Sequence, residues 1–187
     1  MGAAAFDYRQ LMAAAADPAD IATLAFGGVF ARFRVLGLDV ATQDRLLHHY
    51  FPGLDTSTVA VDIDASRCPA LSADEFDDLL ALLRAHRRDD SEESQWLACA
   101  IATACLGNNH LWQDMGLPNR EVLSQLLRRH FTALYAKNIG NMKWKKFFYK
   151  QLCEQAEVML CKAPSCQVCT DYRACFGPED ADPLSAR

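Results

Sequence analysis

Between residues 161 and 175 the chain reads Cys161-Lys-Ala-Pro-Ser-Cys166-Gln-Val-Cys169-Thr-Asp-Tyr-Arg-Ala-Cys175, a C-x4-C-x2-C-x5-C spacing that puts four thiols into fifteen residues. A stretch this short cannot build a hydrophobic core of its own. From Cys161 to Arg187 it carries Pro164, Pro178 and Pro183 and few apolar side chains, so without a cross-link it has little reason to be ordered. The opening residues lack the basic flank and cleavage pattern of a secretory signal, and Phe6 stands where a myristoylation signal needs Ser or Thr. The expected localisation is cytoplasmic, where thiols stay reduced. Metal ligation or burial must therefore account for the cysteines.

The eight cysteines are unevenly placed: Cys68, Cys99 and Cys105 are scattered, whereas Cys153, Cys161, Cys166, Cys169 and Cys175 crowd together. Four thiolates at this spacing can wrap a compact multi-iron core, each metal corner taking one sulfur. A structural zinc site usually separates its two ligand pairs by a dozen or more residues so that two knuckles can meet around one ion. Here the pairs nearly overlap, which favours an iron–sulfur cluster over zinc, with unligated thiols third.

Upstream of this segment the pattern is helical, because apolar residues recur at intervals of three and four and no long alternating stretch competes. Helices are expected at about Phe6 to Ala16, Ile21 to Leu36 and Ala41 to Tyr50, the last stopped by Pro52-Gly53. The stretch from Asp55 to Ala70 reads as a loop. After Ser72, a capping box with Glu75 leads into the stripe Phe76, Leu79, Leu80 and Leu83. A helix from about Glu92 to Leu106 ends at Gly107-Asn108-Asn109, another runs from about Asn119 to Ala136 with the stripe Leu123, Leu126, Leu127, Phe131 and Leu134, and a last one spans about Asn141 to Glu154. The expected fold class is a compact all-α domain with an irregular C-terminal cysteine-rich metal-binding loop. Residues 1–187 read as a single domain, with a helical body over 1–140 and, over 141–187, a C-terminal helix plus the cysteine segment.

Wound on a helix, residues 142 to 153 put Trp144, Phe147, Phe148 and Leu152 on one face and Lys143, Lys146 and Lys150 on the opposite one. Cys153 projects beside the lysines, which makes it a candidate fifth ligand or a thiol near the cluster; burial elsewhere is the alternative. The lysines suit either a solvated face or electrostatic support, offsetting thiolate charge or attracting a dianion. Lys162 and Arg173, inside the cysteine segment, strengthen the second role. His110, next to a turn at Asn108-Asn109, is a candidate metal or neighbouring group. His130 lies on the apolar stripe of its helix and reads as a core histidine first. His48 and His49, about 100° apart on a helix, cannot easily share a metal. Cys99 and Cys105 are turned about 240° from each other on one helix, so they form no pair.

Other classes are set aside by what the chain lacks. Lys and Arg total 19 against 24 Asp and Glu, a formal charge of −5, which argues against a protein that coats nucleic acid. The longest apolar run, Ile21 to Ala31, covers eleven residues and includes Thr23, Gly27 and Gly28. A membrane-spanning helix needs roughly 20 residues. No Gly-rich phosphate loop, nucleophile elbow or His-Glu zinc-protease motif appears.

The cysteine motif, preceded by Met142-Lys-Trp-Lys-Lys-Phe-Phe-Tyr149 and closed by Cys175-Phe-Gly-Pro178, resembles the NifQ family of nitrogen-fixation accessory proteins. The resemblance extends to Asn109-His-Leu-Trp-Gln-Asp-Met-Gly-Leu-Pro118 and to Arg128-Arg-His-Phe131, so it is strong over the C-terminal half and weak over the N-terminal half. It implies an iron–sulfur cluster that incorporates molybdenum, with molybdate as the molybdenum source, held by Cys161, Cys166, Cys169 and Cys175. It further implies a molybdenum donor for assembly of the iron-molybdenum cofactor, with the NifEN scaffold and the nitrogenase iron protein as partners. On this view the protein is a carrier and not an enzyme, with no nucleic-acid or membrane partner. A zinc-stabilised interaction domain is the first alternative. A helical DNA-repair glycosylase is the second, since it shares the final C-x2-C-x5-C and Phe51-Pro-Gly-Leu54 hints at its hairpin. Against the glycosylase stand the acidic charge balance, the lack of a basic face outside residues 143 to 150, and the different first spacing.

Overall fold

The computed structural model describes residues 7–54, 73–157 and 166–179. Every regular element among them is helical: α1 (Tyr8–Ala14), α2 (Ile21–Phe33), α3 (Val40–Tyr50), α4 (Ala73–Ala85), α5 (Glu92–Cys105), α6 (Leu111–Asp114), α7 (Arg120–His130), α8 (Thr132–Lys137), α9 (Trp144–Gln155), a 3-10 turn (Cys166–Val168) and α10 (Tyr172–Phe176). The all-α class is what the periodicity predicts. The expected loop over Asp55 to Ala70 and the Ser72 cap lie outside the described residues, as do Cys68, Cys161 and Lys162. Among the described residues no helix is long and apolar enough to cross a membrane.

Helix starts follow local chemistry. Asp20 accepts from the Thr23 N–H at 2.9 Å, Asp39 from Thr42 at 3.0 Å, Ser91 from Ser94 at 3.2 Å and Asn119 from Val122 at 3.0 Å. In each case a side-chain oxygen satisfies a backbone donor that the helix leaves without an internal partner. α2 stops at Phe33, short of the expected Leu36, because Arg34 turns left-handed (φ 66°) and its N–H closes on Phe30 O at 2.9 Å.

The middle of the fold is α5, whose run from Trp96 to Cys105 is buried on every side. A helix apolar all round must lie inside, and α2, α4 and α6 pack against it. Leu97 and Ile101 are fully buried, and truncating either to Ala costs about 2–5 kcal/mol. α2 reaches the turn after α6 through a glycine pair. A Cβ on Gly28 would lie 2.1 Å from Met115 O, and one on Gly116, at φ +66°, would lie 2.6 Å from Gly28 Cα. No side chain fits between those backbones.

The helix expected over about Asn119 to Ala136 is two helices. Phe131 leaves the helical region (φ −133°, ψ 50°), ending α7 and opening α8. Its N–H still donates to Leu127 O at 2.8 Å and its carbonyl accepts from Tyr135 N at 2.9 Å, so the kink orphans neither group. The stripe itself survives, with Leu123, Leu126, Leu127, Phe131 and Leu134 all buried. α9 lays Trp144, Phe147 and Phe148 into the core and packs on α4.

Candidate metal centre

The thiols sit on consecutive turns of backbone. Cys166 opens the 3-10 turn, Cys169 N–H donates back to Cys166 O at 3.4 Å, and Tyr172 N–H donates to Cys169 O at 3.3 Å before α10 carries the chain to Cys175. Residues three apart eclipse in a 3-10 turn, which puts Cys166 and Cys169 on one side of it. Cys166 is exposed and Cys169 and Cys175 are half-buried, and all three are free thiols. Accessible thiols on neighbouring turns are the donor type that suits a soft metal or an iron–sulfur core. The segment expected to be irregular thus contains two ordered turns.

Two clamps hold it to the helical body. Lys143 N–H, at the head of α9, donates to Cys175 O at 2.8 Å. Four residues later Glu179, 7% exposed, pairs with Arg120 of α7. Arg120 also donates to Asn141 O at 3.0 Å and Met142 O at 2.8 Å, so one guanidinium ties α7, the chain entering α9 and the end of the cysteine segment together. Within α10 the Tyr172 and Phe176 rings stack with centroids 4.5 Å apart, and Phe176 and Cys175 pack against the core.

Beside this segment lies a cleft of about 250 Å³ whose lining includes His110, Asn108, Lys143, Lys146, Ala174 and Glu179. Its shape is set by Asp114, whose side chain is fully buried and fully used. Arg32 Nε reaches Oδ1 at 2.9 Å, Lys145 Nζ reaches Oδ2 at 2.6 Å, and Asn109 donates through its backbone N at 3.0 Å and through Nδ2 at 2.9 Å. Lys145 Nζ also donates to Gly107 O at 2.7 Å. The turn bearing Asn108 and His110 is thereby locked to the first turn of α9. Gly107 is obligatory here, since a Cβ would come 2.4 Å from Asp114 Oδ2. His110 N–H donates to Gln113 Oε1 at 3.1 Å as α6 begins.

The structure therefore brings His110, Lys143 and Lys146 together next to Cys175. Cys153 is half-buried near the far end of α9, ten residues and about 15 Å along the axis from Lys143. Lys150 pairs with Glu154 at 3.4 Å outside the cleft, and Arg173 is exposed on α10. Among the described residues, no three or more His, Cys, Asp or Glu side chains come together as metal ligands. Cys161, the fourth cysteine of the motif, lies outside those residues.

Other candidates resolve as core or surface. Burial pushes the Cys105 thiol up to about 12 and raises that of Cys99 as well. His130 is buried on its stripe, and burial lowers its pKa. His48 and His49 are exposed, with His48 Nδ1 2.8 Å from Asp44 O. Asp114, Lys145, Arg120 and Glu179 carry no signal in spacing or composition, although Asp114 and Lys145 fall inside the Asn109–Pro118 and Met142–Tyr149 segments on which the resemblance rests.

Comparison with known proteins agrees with that resemblance. The family model described as NifQ matches residues 19–177, a span that includes all four cysteines of the motif. Protein NifQ of Azotobacter vinelandii is 43% identical over 152 residues, covering 77% of this chain and 78% of that protein. Protein NifQ of Rhodobacter capsulatus is 37% identical over 153 residues, covering 82% and 80%. Protein NifQ of Klebsiella pneumoniae is 41% identical over 112 residues, covering 52% and 66%. No solved structure matches the chain.

Proposed function

The chain belongs to the NifQ family, which serves molybdenum handling for the nitrogenase cofactor, and from that premise we propose that it carries a molybdenum-containing iron–sulfur cluster and donates the molybdenum during assembly of the iron-molybdenum cofactor. The cluster is cargo, and the protein is a carrier and not an enzyme. Cys166, Cys169 and Cys175 hold it together with Cys161, and the NifEN scaffold and the nitrogenase iron protein receive from it.

The observation that carries this proposal is the clamped cysteine segment. Its free thiols stand on successive turns, fixed to the head of α9 through Cys175 O and to α7 through Glu179. A backbone already ordered before metal arrives leaves less entropy to be lost when the thiols gather around it. Delivery sets a second requirement. A cuboidal core of three irons and one molybdenum has four metal corners, and equal grip on all four would prevent release. Three cysteines anchor iron, and molybdenum takes the fourth cysteine, a histidine or a small exchangeable ligand.

Alanine replacement of each motif cysteine, with iron and molybdenum measured on protein purified without oxygen, tests this division. Three variants should lose both metals while the fourth keeps iron, losing molybdenum as well where that cysteine is its ligand. Loss of the two metals in the same ratio from all four variants would refute it.

A further inference from the structure

We propose that the cleft between the 107–110 turn and the head of α9 binds a tetrahedral oxyanion, and that molybdate enters the protein there. The choice of molybdate over other tetrahedral oxyanions rests on the molybdenum function above; the anion site itself does not.

Charge accounting across the lining points to a dianion. Lys145 is committed to Asp114, and Glu179 is committed to Arg120. Lys143 and Lys146 remain, and among the described residues neither lies within ion-pair distance of a carboxylate. Two positive charges thus face about 250 Å³ of space with no fixed counter-charge, in a chain whose formal charge is −5. The net negative charge of this protein disfavours anions overall, so an anion site needs a local excess of cations such as this one.

The kind of donor narrows the ligand further. Lysine is a compact point charge, suited to a spherical or tetrahedral anion, whereas planar carboxylates are the natural partners of arginine forks. Asn108 and His110 add polar side chains to the lining. The volume falls below the roughly 300–1,000 Å³ of clefts that take drug-sized molecules and suits a small inorganic anion with a few waters.

The position of the lysines breaks a local rule. Helix N-termini favour acidic side chains and disfavour cations, yet α9 has no acid in its first turn and no side-chain cap, and Lys143, Lys145 and Lys146 crowd its head. Lys145 is explained by the buried carboxylate of Asp114. Lys143 and Lys146 are explained by a bound anion, and such conflicts between local preference and sequence concentrate at functional sites. Ala174 forms part of the wall and Cys175 O accepts from Lys143 N, so an anion held here abuts the cysteine segment.

The test is equilibrium dialysis of the full chain, purified without oxygen, against molybdate, with tungstate, sulfate and phosphate as competitors. Wild type and the variants Lys143→Gln, Lys146→Gln and the double variant are compared, and Arg45→Gln, on an exposed pair with Glu92 far along the chain, controls for net charge. Lys146 is exposed, so its replacement should leave the fold intact, which circular dichroism checks. One saturable site is expected, displaced by tungstate, weakened by roughly tenfold or more for each lysine removed and unchanged in Arg45→Gln. Displacement by sulfate or phosphate at equal concentration would keep the oxyanion site and remove the assignment to molybdate. Equal binding by the folded Lys146→Gln and double variants would overturn the site. Iron and sulfide measured on the same samples separate the two accounts: oxyanion binding without a cluster retains this site and rejects the cargo, and a cluster without oxyanion binding does the reverse.

Discussion

Lys143 donates its backbone N–H to the carbonyl of Cys175 at 2.8 Å, so the last motif cysteine is joined by main chain to the first turn of the most aromatic helix in the fold. Neither side chain takes part. The contact survives any substitution of Lys143 except proline, which is why Lys143→Gln tests charge without undoing the attachment.

The second attachment is a side-chain pair and can be cut. Arg120→Ala leaves Glu179 nearly buried with no cation, a change that costs about 3–5 kcal/mol when the charge cannot reach water. Glu179 anchors the short cysteine segment and not the helical core, so the loss should appear mainly as local opening. Hydrogen exchange over residues 166–179 should accelerate far more than exchange in α5. Equal acceleration in both would mean that the pair supports the whole fold.

Asp114 is the central knot of the cleft. Asp114→Asn removes the negative charge that Arg32 and Lys145 share inside the protein, and should lower stability by about 3–5 kcal/mol in urea unfolding. Gly107→Ala should weaken the same turn by pushing a methyl group toward the carboxylate. Wild-type midpoints for both variants would show that the network is dispensable.

Burial depresses the His130 pKa below its ordinary 6.5, with Arg129 pushing the same way and Glu93, Asp89 and Asp20 opposing. The unfolded chain therefore binds more protons than the folded one in this range. The contribution is present above pH 6.5 and is lost as pH falls from there through the folded value. Stability should decline between pH 7.5 and 5, and His130→Gln should flatten that decline. Asp89, held at about 2 by hydrogen bonds from Ser91 and Ser94, titrates well below this window. Parallel pH curves for wild type and variant would exclude His130 as the cause.

Thiol reactivity should sort the cysteines into two sets. In metal-free, oxygen-free protein, iodoacetamide should label exposed Cys166 first and spare Cys105, which is buried with its pKa pushed up to about 12. Mass spectrometry of the native protein reads this directly. Early labelling of Cys105 would mean that α5 opens on its own.

What could be read in advance was whatever repeats along the chain. The faces of α9 and the stripe across α7 and α8 follow from a period near 3.6. What could not be read depends on partners distant in sequence. Arg120 and Glu179 are 59 residues apart, and Asp114 and Lys145 are 31 apart, so no window along the chain connects them. The break at Phe131 was invisible for another reason: the stripe continues through it, and periodicity reports which side chains are buried, not whether the backbone between them stays helical. Lys145 illustrates the same limit from the charged side, since one lysine of three at the head of α9 turns inward to a buried carboxylate while Lys143 and Lys146 face the cleft.

The most direct test of the cargo is the content of iron, molybdenum, zinc and acid-labile sulfide in protein purified without oxygen from molybdate-supplied cells, with an electron paramagnetic resonance spectrum of the same sample. Iron and sulfide accompanied by molybdenum, all lost when Cys166 and Cys169 are both replaced by Ala, is the predicted result. Zinc alone, with neither sulfide nor molybdenum, would contradict it and make the cysteine segment a structural module.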